Sequence, residues 1–270
     1  MISRPNRIGI GAMRSLGNRI GGGFFSPANL LVPGATLAAS WEIWDLTTLF
    51  QDRAGTTPVT AAGQPVGQIK DRIGTNHLTA TSDAARGTYQ IGADGKPYVQ
   101  FSGSQVYATP SLTKVVTCAA VFAAVRKDSD ATIGNIMDSG NPTAGYFRLR
   151  APGGVATPWY NMSGTGPTFT RTASVTTIAA PSSNVVSGFI DLTAPLVLIR
   201  TNGGAQSGQS ISDMGGGTFS TAPTYVGAQA GASDFFNGRL YGLSVRYAAA
   251  QISDANRNAM EAGYQARLGS

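Results

Sequence analysis

The sequence predicts an all-β protein: a large antiparallel sandwich with one C-terminal helix, behind an extended N-terminal arm. Three observations predict it. Short apolar or alternating runs recur along the chain, separated by Gly, Pro, Asn and Asp. Glycine is abundant (35 residues) and charged residues make up only 13% of the chain, which suits many tight turns and excludes a charge-driven disordered protein. Only the last segment carries a helical period. At 270 residues the chain can bury a core without staples.

Residues 1–40 read as a basic, glycine-rich arm. Arg4, Arg7, Arg14 and Arg19 occur there with no acid, so the arm carries +4 of the net +6. Ile8, Met13, Leu16 and Ile20 are scattered apolar anchors, and Pro27 and Pro33 break any longer element. Such a segment buries too little surface to order itself, so it is expected either to stay a floppy tail or to fold onto a neighbouring subunit. The four arginines are the expected anchoring residues, pairing with acidic groups of that partner.

Residues 41–270 read as the sandwich. They hold 16 basic and 14 acidic side chains, without the dense basic stripe of a specific nucleic-acid binder. An apolar cluster runs from Trp41 to Phe50. Strands are expected near 64–70, 77–81, 88–92, 97–101, 105–108, 115–126, 132–137 and 145–150. More follow near 155–161, 168–178, 184–191, 196–201, 205–212, 223–228 and 236–247. In 146–150, Phe147 and Leu149 alternate with Tyr146, Arg148 and Arg150, the pattern of a half-buried strand. In 239–247, Tyr241, Leu243, Val245 and Tyr247 are expected to share one face. Leu196 to Ile199 is apolar on both sides, as in a central strand, and Asn202-Gly203 after it is a hairpin signal. Ser253 caps a helix to about Leu268, with Met260, Tyr264 and Leu268 as its packing stripe and Gly269 as its stop.

Two stretches carry a family resemblance. One is Trp44-Asp45-Leu46-Thr47-Thr48-Leu49-Phe50-Gln51-Asp52, continuing through Ala54 to Thr60, Gly63 to Gly67 and Asp71 to Ala80. The other is Phe236 to Arg246 with the helix from Ser253 to Gly269. Together they resemble the concanavalin A-like (laminin-G-like) lectin and glucanase domains of bacteriophage tail, fibre and head-associated proteins. The resemblance covers roughly 41–269 and implies a jelly-roll fold. It also implies a virion structural protein: a capsid-decorating, head or neck fibre, or tail-associated subunit on the phage particle surface. Its partners would be other virion proteins, a possible homo-oligomer mate and a host-surface glycan.

Glutamate occurs only as Glu42 and Glu261, expected at opposite ends of the domain, whereas glycosidases need two carboxyls flanking one bond. The protein is therefore expected not to be an enzyme, with a free lectin or adhesin as the main alternative and a polysaccharide depolymerase behind it. His77, the only histidine, sits in a turn with no nucleophile elbow in the chain. Asp71, Asp138, Asn141 and Asp213 lie at expected loop edges where calcium could be held, although turn formation is their ordinary role. Cys118 stands alone, so no intrachain disulfide or zinc cluster is expected. No apolar run approaches 18 residues, and the N-terminus lacks an apolar signal core. Tyr146, Arg148, Arg150 and Trp159 are the candidate glycan contacts, since a sugar's apolar face packs on an aromatic ring beside hydrogen-bonding groups; a solvated or subunit-contacting sheet face is the ordinary reading of the same residues.

Overall fold

The computed structural model describes residues 19–20, 23–140, 143–176, 178–194, 196–204 and 208–268. Arg4, Arg7, Arg14, Asn141 and Gly269 lie outside these residues, and Arg19 is described in its backbone alone.

Arg19–Ile20 (β1) and Gly23–Phe24 (β2) pair antiparallel. Helix α1 (Pro27–Leu31) begins with proline, where a missing N–H costs nothing. Then come β3 (Leu37–Glu42), β4 (Leu49–Phe50), β5 (Pro65–Val66), β6 (Gln68–Ile69), β7 (Leu78–Ala80), β8 (Gly87–Ile91), β9 (Pro97–Ser102) and β10 (Tyr107–Ala108). The middle of the chain gives β11 (Cys118–Lys127), β12 (Asn135–Asp138), β13 (Tyr146–Arg150), β14 (Tyr160–Thr165), β15 (Thr170–Val175) and β16 (Ser182–Asp191). The last part gives β17 (Leu196–Thr201), β18 (Gly208–Ser210), β19 (Tyr225–Val226), β20 (Asn237–Ala248) and helix α2 (Asp254–Leu268).

The strands form two antiparallel sheets. One runs β18-β17-β16-β11-β20-β9-β8-β5, with β3 joining β20 beside β9. The other runs β15-β14-β13-β12-β19-β10-β7-β6-β4. Between them lies the main core, where Val121, Ala123, Val186, Val197, Val245 and Tyr247 meet Tyr107, Phe147, Leu149 and Met162.

The first sheet is apolar on its other face too. Ala120, Phe122, Phe189, Leu198 and Tyr241 pack there with Leu31, Met260, Tyr264 and Leu268 of the helices. This explains Cys-Ala-Ala-Val-Phe-Ala-Ala-Val in β11: a strand with both faces covered reads as a continuous apolar run. We call this the covered sheet and its mate the open sheet. The outer row of the open sheet is polar: Thr172, Ser163, Arg148, Asp138 and Tyr225 are successive cross-strand partners, continued by Ala108, Thr79 and Gln68.

Several expected elements form as read. β13 alternates with Phe147 and Leu149 inward. Leu196 and Leu198 face the helix side while Val197 and Ile199 face the core. Asn202 and Gly203 take φ of 54° and 63°, and the Gly204 amide closes the turn on the Thr201 carbonyl at 3.0 Å. The Ser253 hydroxyl accepts from the Asn256 amide at 3.3 Å, and Met260, Tyr264 and Leu268 are buried as the helix stripe.

Three placements differ from the sequence reading. The boundary at residue 40 falls inside β3, and residues 25–40 are built into the fold. Leu31 and Ala39 are fully buried, and Phe25 packs edge-on against Tyr264 at 5.8 Å. Small residues such as Ala38, Ala39 and Ser40 carry almost no periodic signal, which hides this strand. Tyr241 leaves the face of Leu243, Val245 and Tyr247 because a bulge pairs Leu240 with Val125 and Gly242 with Ala124. It therefore points at the helices. The strand expected at 155–161 runs instead over 160–165, since Pro158 cannot donate to a ladder and Ala156 sits at a φ of 52°.

Candidate functional site

Tyr146, Arg148 and Arg150 stand on the outer face of β13. Trp159 precedes β14, whose Asn161 is the cross-strand partner of Arg150. The structure thus brings three of the four expected glycan contacts to one face, with Trp159 in the loop that leads into the next strand. Most of their polar groups are already used. Arg148 donates to the fully buried Asp138 at 3.1 Å and lies over the Tyr146 ring at 4.8 Å. Asp138 also accepts from the amides of Gly140 (2.9 Å) and Ala230 (3.1 Å). Arg150 donates to Gln229 Oε1 at 3.1 Å and to Asn135 Oδ1 at 3.4 Å. Burial and the neighbouring Arg148 cation push Arg150 down, against the pull of Asp234 and Asp138. Trp159 is 39% exposed, and its neighbour Tyr160 is a core residue.

Next to this face lies a hollow of about 410 Å³, lined by Gly103, Thr132, Ile133, Val155, Asp234, Phe235 and Asn237. It joins the arginine face through Asp234, whose Oδ2 lies 3.8 Å from Arg150 Nη2. Four separate loops and the start of β20 meet there. The Asp234 backbone is in the left-handed region, φ 48°, and its carbonyl accepts from the Asn135 amide at 2.8 Å and from Asn135 Nδ2 at 3.4 Å. Held backbones of this kind cluster at ligand sites. Among the described residues, the Asn237 side-chain amide and the Thr132 hydroxyl have no hydrogen-bond partner, and the Asp234 carboxylate meets Arg150 alone. Val155, Ile133 and Phe235 supply the apolar wall. Uncommitted donors and acceptors beside exposed carbon surface can hold a polyhydroxylated ligand. Sequence reading missed this hollow, and its only local cue was Asp234 before a Phe-Phe-Asn run.

The calcium candidates are engaged otherwise. Asp71 accepts the amides of Ser40, Ile73 and Asn76 at 2.9, 2.9 and 3.2 Å, and burial pushes its pKa up against those bonds. Asp213 accepts the Gly215 amide at 2.8 Å. Among the described residues, no three His, Cys, Asp or Glu side chains converge. His77 Nδ1 accepts the Asp71 amide at 3.1 Å, so it braces a turn. No described helix is long and apolar enough to cross a membrane.

Both glutamates lie on the helix side of the covered sheet, Glu42 on β3 and Glu261 over β16 and β17. Glu42 accepts from Trp44 Nε1 at 2.8 Å and Ser40 Oγ at 3.4 Å. Glu261 accepts from Ser187 Oγ at 2.5 Å and pairs with Arg200 at 3.1 Å. Burial raises the pKa of each. Their oxygens hold structural partners, and neither glutamate lines the Asp234 hollow.

No protein-family model matches the chain, and no curated protein matches it by sequence. Solved structures do resemble it. A mutant GH54 α-L-arabinofuranosidase soaked with 4-nitrophenyl α-L-arabinofuranoside matches with a TM-score of 0.57 at 15% identity, over 90% of this chain and 65% of that one. A receptor binding domain matches with a TM-score of 0.56 at 11% identity, over 89% of this chain and 53% of that one. The CBM40 of Ruminococcus gnavus IT-sialidase has 16% identity and a TM-score of 0.47, over 61% of this chain and 96% of that one. The first two likenesses place the chain among β-sandwich folds, and the chain spans between half and two thirds of those two proteins.

Proposed function

We propose that this protein is a lectin-like, non-enzymatic adhesion module that holds a sugar in the Asp234 hollow. The observation that carries the reading is a set of side-chain groups there for which no hydrogen bond is seen among the described residues: the Asp234 carboxylate, ion-paired with Arg150, the Asn237 amide and the Thr132 hydroxyl, beside Val155, Ile133 and Phe235. Sugar hydroxyls would bond the first three while ring carbons pack on the last three. A passive role is supported by Glu42 and Glu261, which are tied to structural partners beneath the helices. Isothermal titration of the full chain with a panel of oligosaccharides tests it. Saturable binding should fall at least tenfold in Asp234→Ala and Asn237→Ala and stay unchanged in Arg171→Ala on the exposed edge. Equal binding by all four proteins would move the site elsewhere.

The carrier in this reading is a bacteriophage particle, to which the protein adds a capsid, neck or tail component. That part rests on the resemblance carried by residues 44–80 and 236–269. Arg4, Arg7, Arg14 and Arg19 would pair with acidic groups on a neighbouring virion subunit. Co-sedimentation with particles lacking the protein, comparing the full chain with one lacking residues 1–24, tests it. The full chain alone should pellet. If neither pellets, a free lectin replaces the virion subunit.

A further inference from the structure

The Asp234 hollow has a charge pattern that selects among sugars. Resting on the reading above, we propose that it takes neutral saccharides through a pair of adjacent hydroxyls, and that Arg150, in place of a bound cation, positions the Asp234 carboxylate. The hollow presents one carboxylate, one amide and one hydroxyl, and no cation lines it. Two cations beside the hollow are engaged by protein partners: Arg148 by Asp138 at 3.1 Å, and Arg150 by Asp234 at 3.8 Å with Gln229 at 3.1 Å. A ligand carboxylate entering the hollow would meet the Asp234 carboxylate at close range and would have to compete with it for Arg150. A neutral diol instead donates to Asp234 and accepts from the Asn237 amide.

The carboxylate needs a fixed direction to read a diol. Asn135 fixes its backbone through two bonds to the Asp234 carbonyl, and the Arg150 guanidinium attracts its side chain from 3.8 Å. Arg150 is itself held by Asn135 and Gln229, so its fork is set before any ligand arrives. Arg150 is a positioning residue here, acting through Asp234.

The test uses the full chain and two probe sets. One holds neutral methyl glycosides and oligosaccharides of glucose, galactose, mannose and arabinose. The other holds 3′-sialyllactose and trigalacturonic acid. Saturation-transfer NMR and isothermal titration should show a neutral sugar bound at least tenfold more tightly than either acid. Excess EDTA should leave that binding unchanged. Asp234→Asn should weaken it at least tenfold. Arg150→Met should weaken it with thermal stability corrected for, and Arg150→Lys should restore part of it, which loss of packing alone would not produce. Preference for the acidic probes, or loss of binding in EDTA, would overturn this inference while leaving a sugar-binding module in place. Binding of neither set would overturn both.

Discussion

The two sheets of this sandwich share one core and differ in what lies outside it. The covered sheet turns Phe122, Phe189, Leu198 and Tyr241 outward, and two helices are laid over them. The open sheet turns Arg148, Asp138, Ser163 and Thr172 outward, a polar row in which Asp138 and Ser163 are buried and only Thr172 at the edge is left to solvent. Strand composition decides this. β11 is apolar at every position from Cys118 to Val125, while β13 alternates Tyr-Phe-Arg-Leu-Arg. One sheet is consequently a structural platform, and the other offers a polar surface with an adjoining hollow.

The largest expected effect comes from uncovering the platform. Residues 25–42 supply β3 and the inner helix, and they bury Leu31, Ala39 and Trp41 completely. A chain starting at residue 43 should lose cooperative thermal unfolding, whereas one starting at residue 25 should keep it, as read by calorimetry. Trp41→Ala alone should cost about 3–5 kcal/mol.

A comparable cost is expected on the open sheet at one point only. Asp138 is fully buried and neutralises Arg148. Asp138→Ala should cost about 3–5 kcal/mol because it strands a partly buried guanidinium and two amides. Thr172→Ala, on the exposed β15 edge, should fall within about 0.5 kcal/mol of wild type in urea unfolding. Equal effects at both sites would erase the distinction between a held charge and a solvated row.

The helix layer can be probed at Gly263. A Cβ there would lie 2.1 Å from the Phe25 ring, so the glycine is what seats the N-terminal segment on α2. Gly263→Ala should destabilise by about 1–3 kcal/mol through overpacking. In a Phe25→Ala background the same change should turn neutral or favourable by up to about 1 kcal/mol, because alanine suits a helix better. Additive effects in the double mutant would contradict the seating.

The smallest effect is a pH dependence from Lys114, buried in the sandwich with its ammonium donating to the Ser139 carbonyl and 5.5 Å from the Tyr247 ring. Burial pushes its pKa down to about 8, against the pull of Asp138. The unfolded chain keeps this proton to a higher pH than the folded one, so folding grows more favourable as pH rises from 7 to 9. The gain is about 1 kcal/mol over that window. Lys114→Met should flatten that rise in urea-unfolding titrations.

The fold was largely legible because its signals are local. β13 and β17 announce themselves by apolar spacing, the Asn202-Gly203 turn by backbone chemistry, and α2 by its Ser253 cap. β3 was not legible, since Ala38, Ala39 and Ser40 leave no pattern, and neither was the bulge at Tyr241-Gly242. The shared face of Tyr146, Arg148 and Arg150 was legible from the alternation within β13. The bonds that occupy Arg148 and Arg150 come from Asp138, Gln229 and Asp234, and the Ala230 amide that shares Asp138 lies 92 positions from it along the chain; no periodicity reports them. The hollow was hidden for the same reason: residues near 103, 132, 155 and 234 meet only after folding.

The measurement that tests the central claim most directly is an amide chemical-shift map of the full chain titrated with the best-bound oligosaccharide. The account predicts shifts confined to the backbone around Thr132, Val155, Asp234 and Asn237, with the helix layer unmoved. Shifts gathered instead around Trp44, Lys96 and Tyr241, at the smaller hollow beside α2, would contradict it and make the covered sheet the binding side.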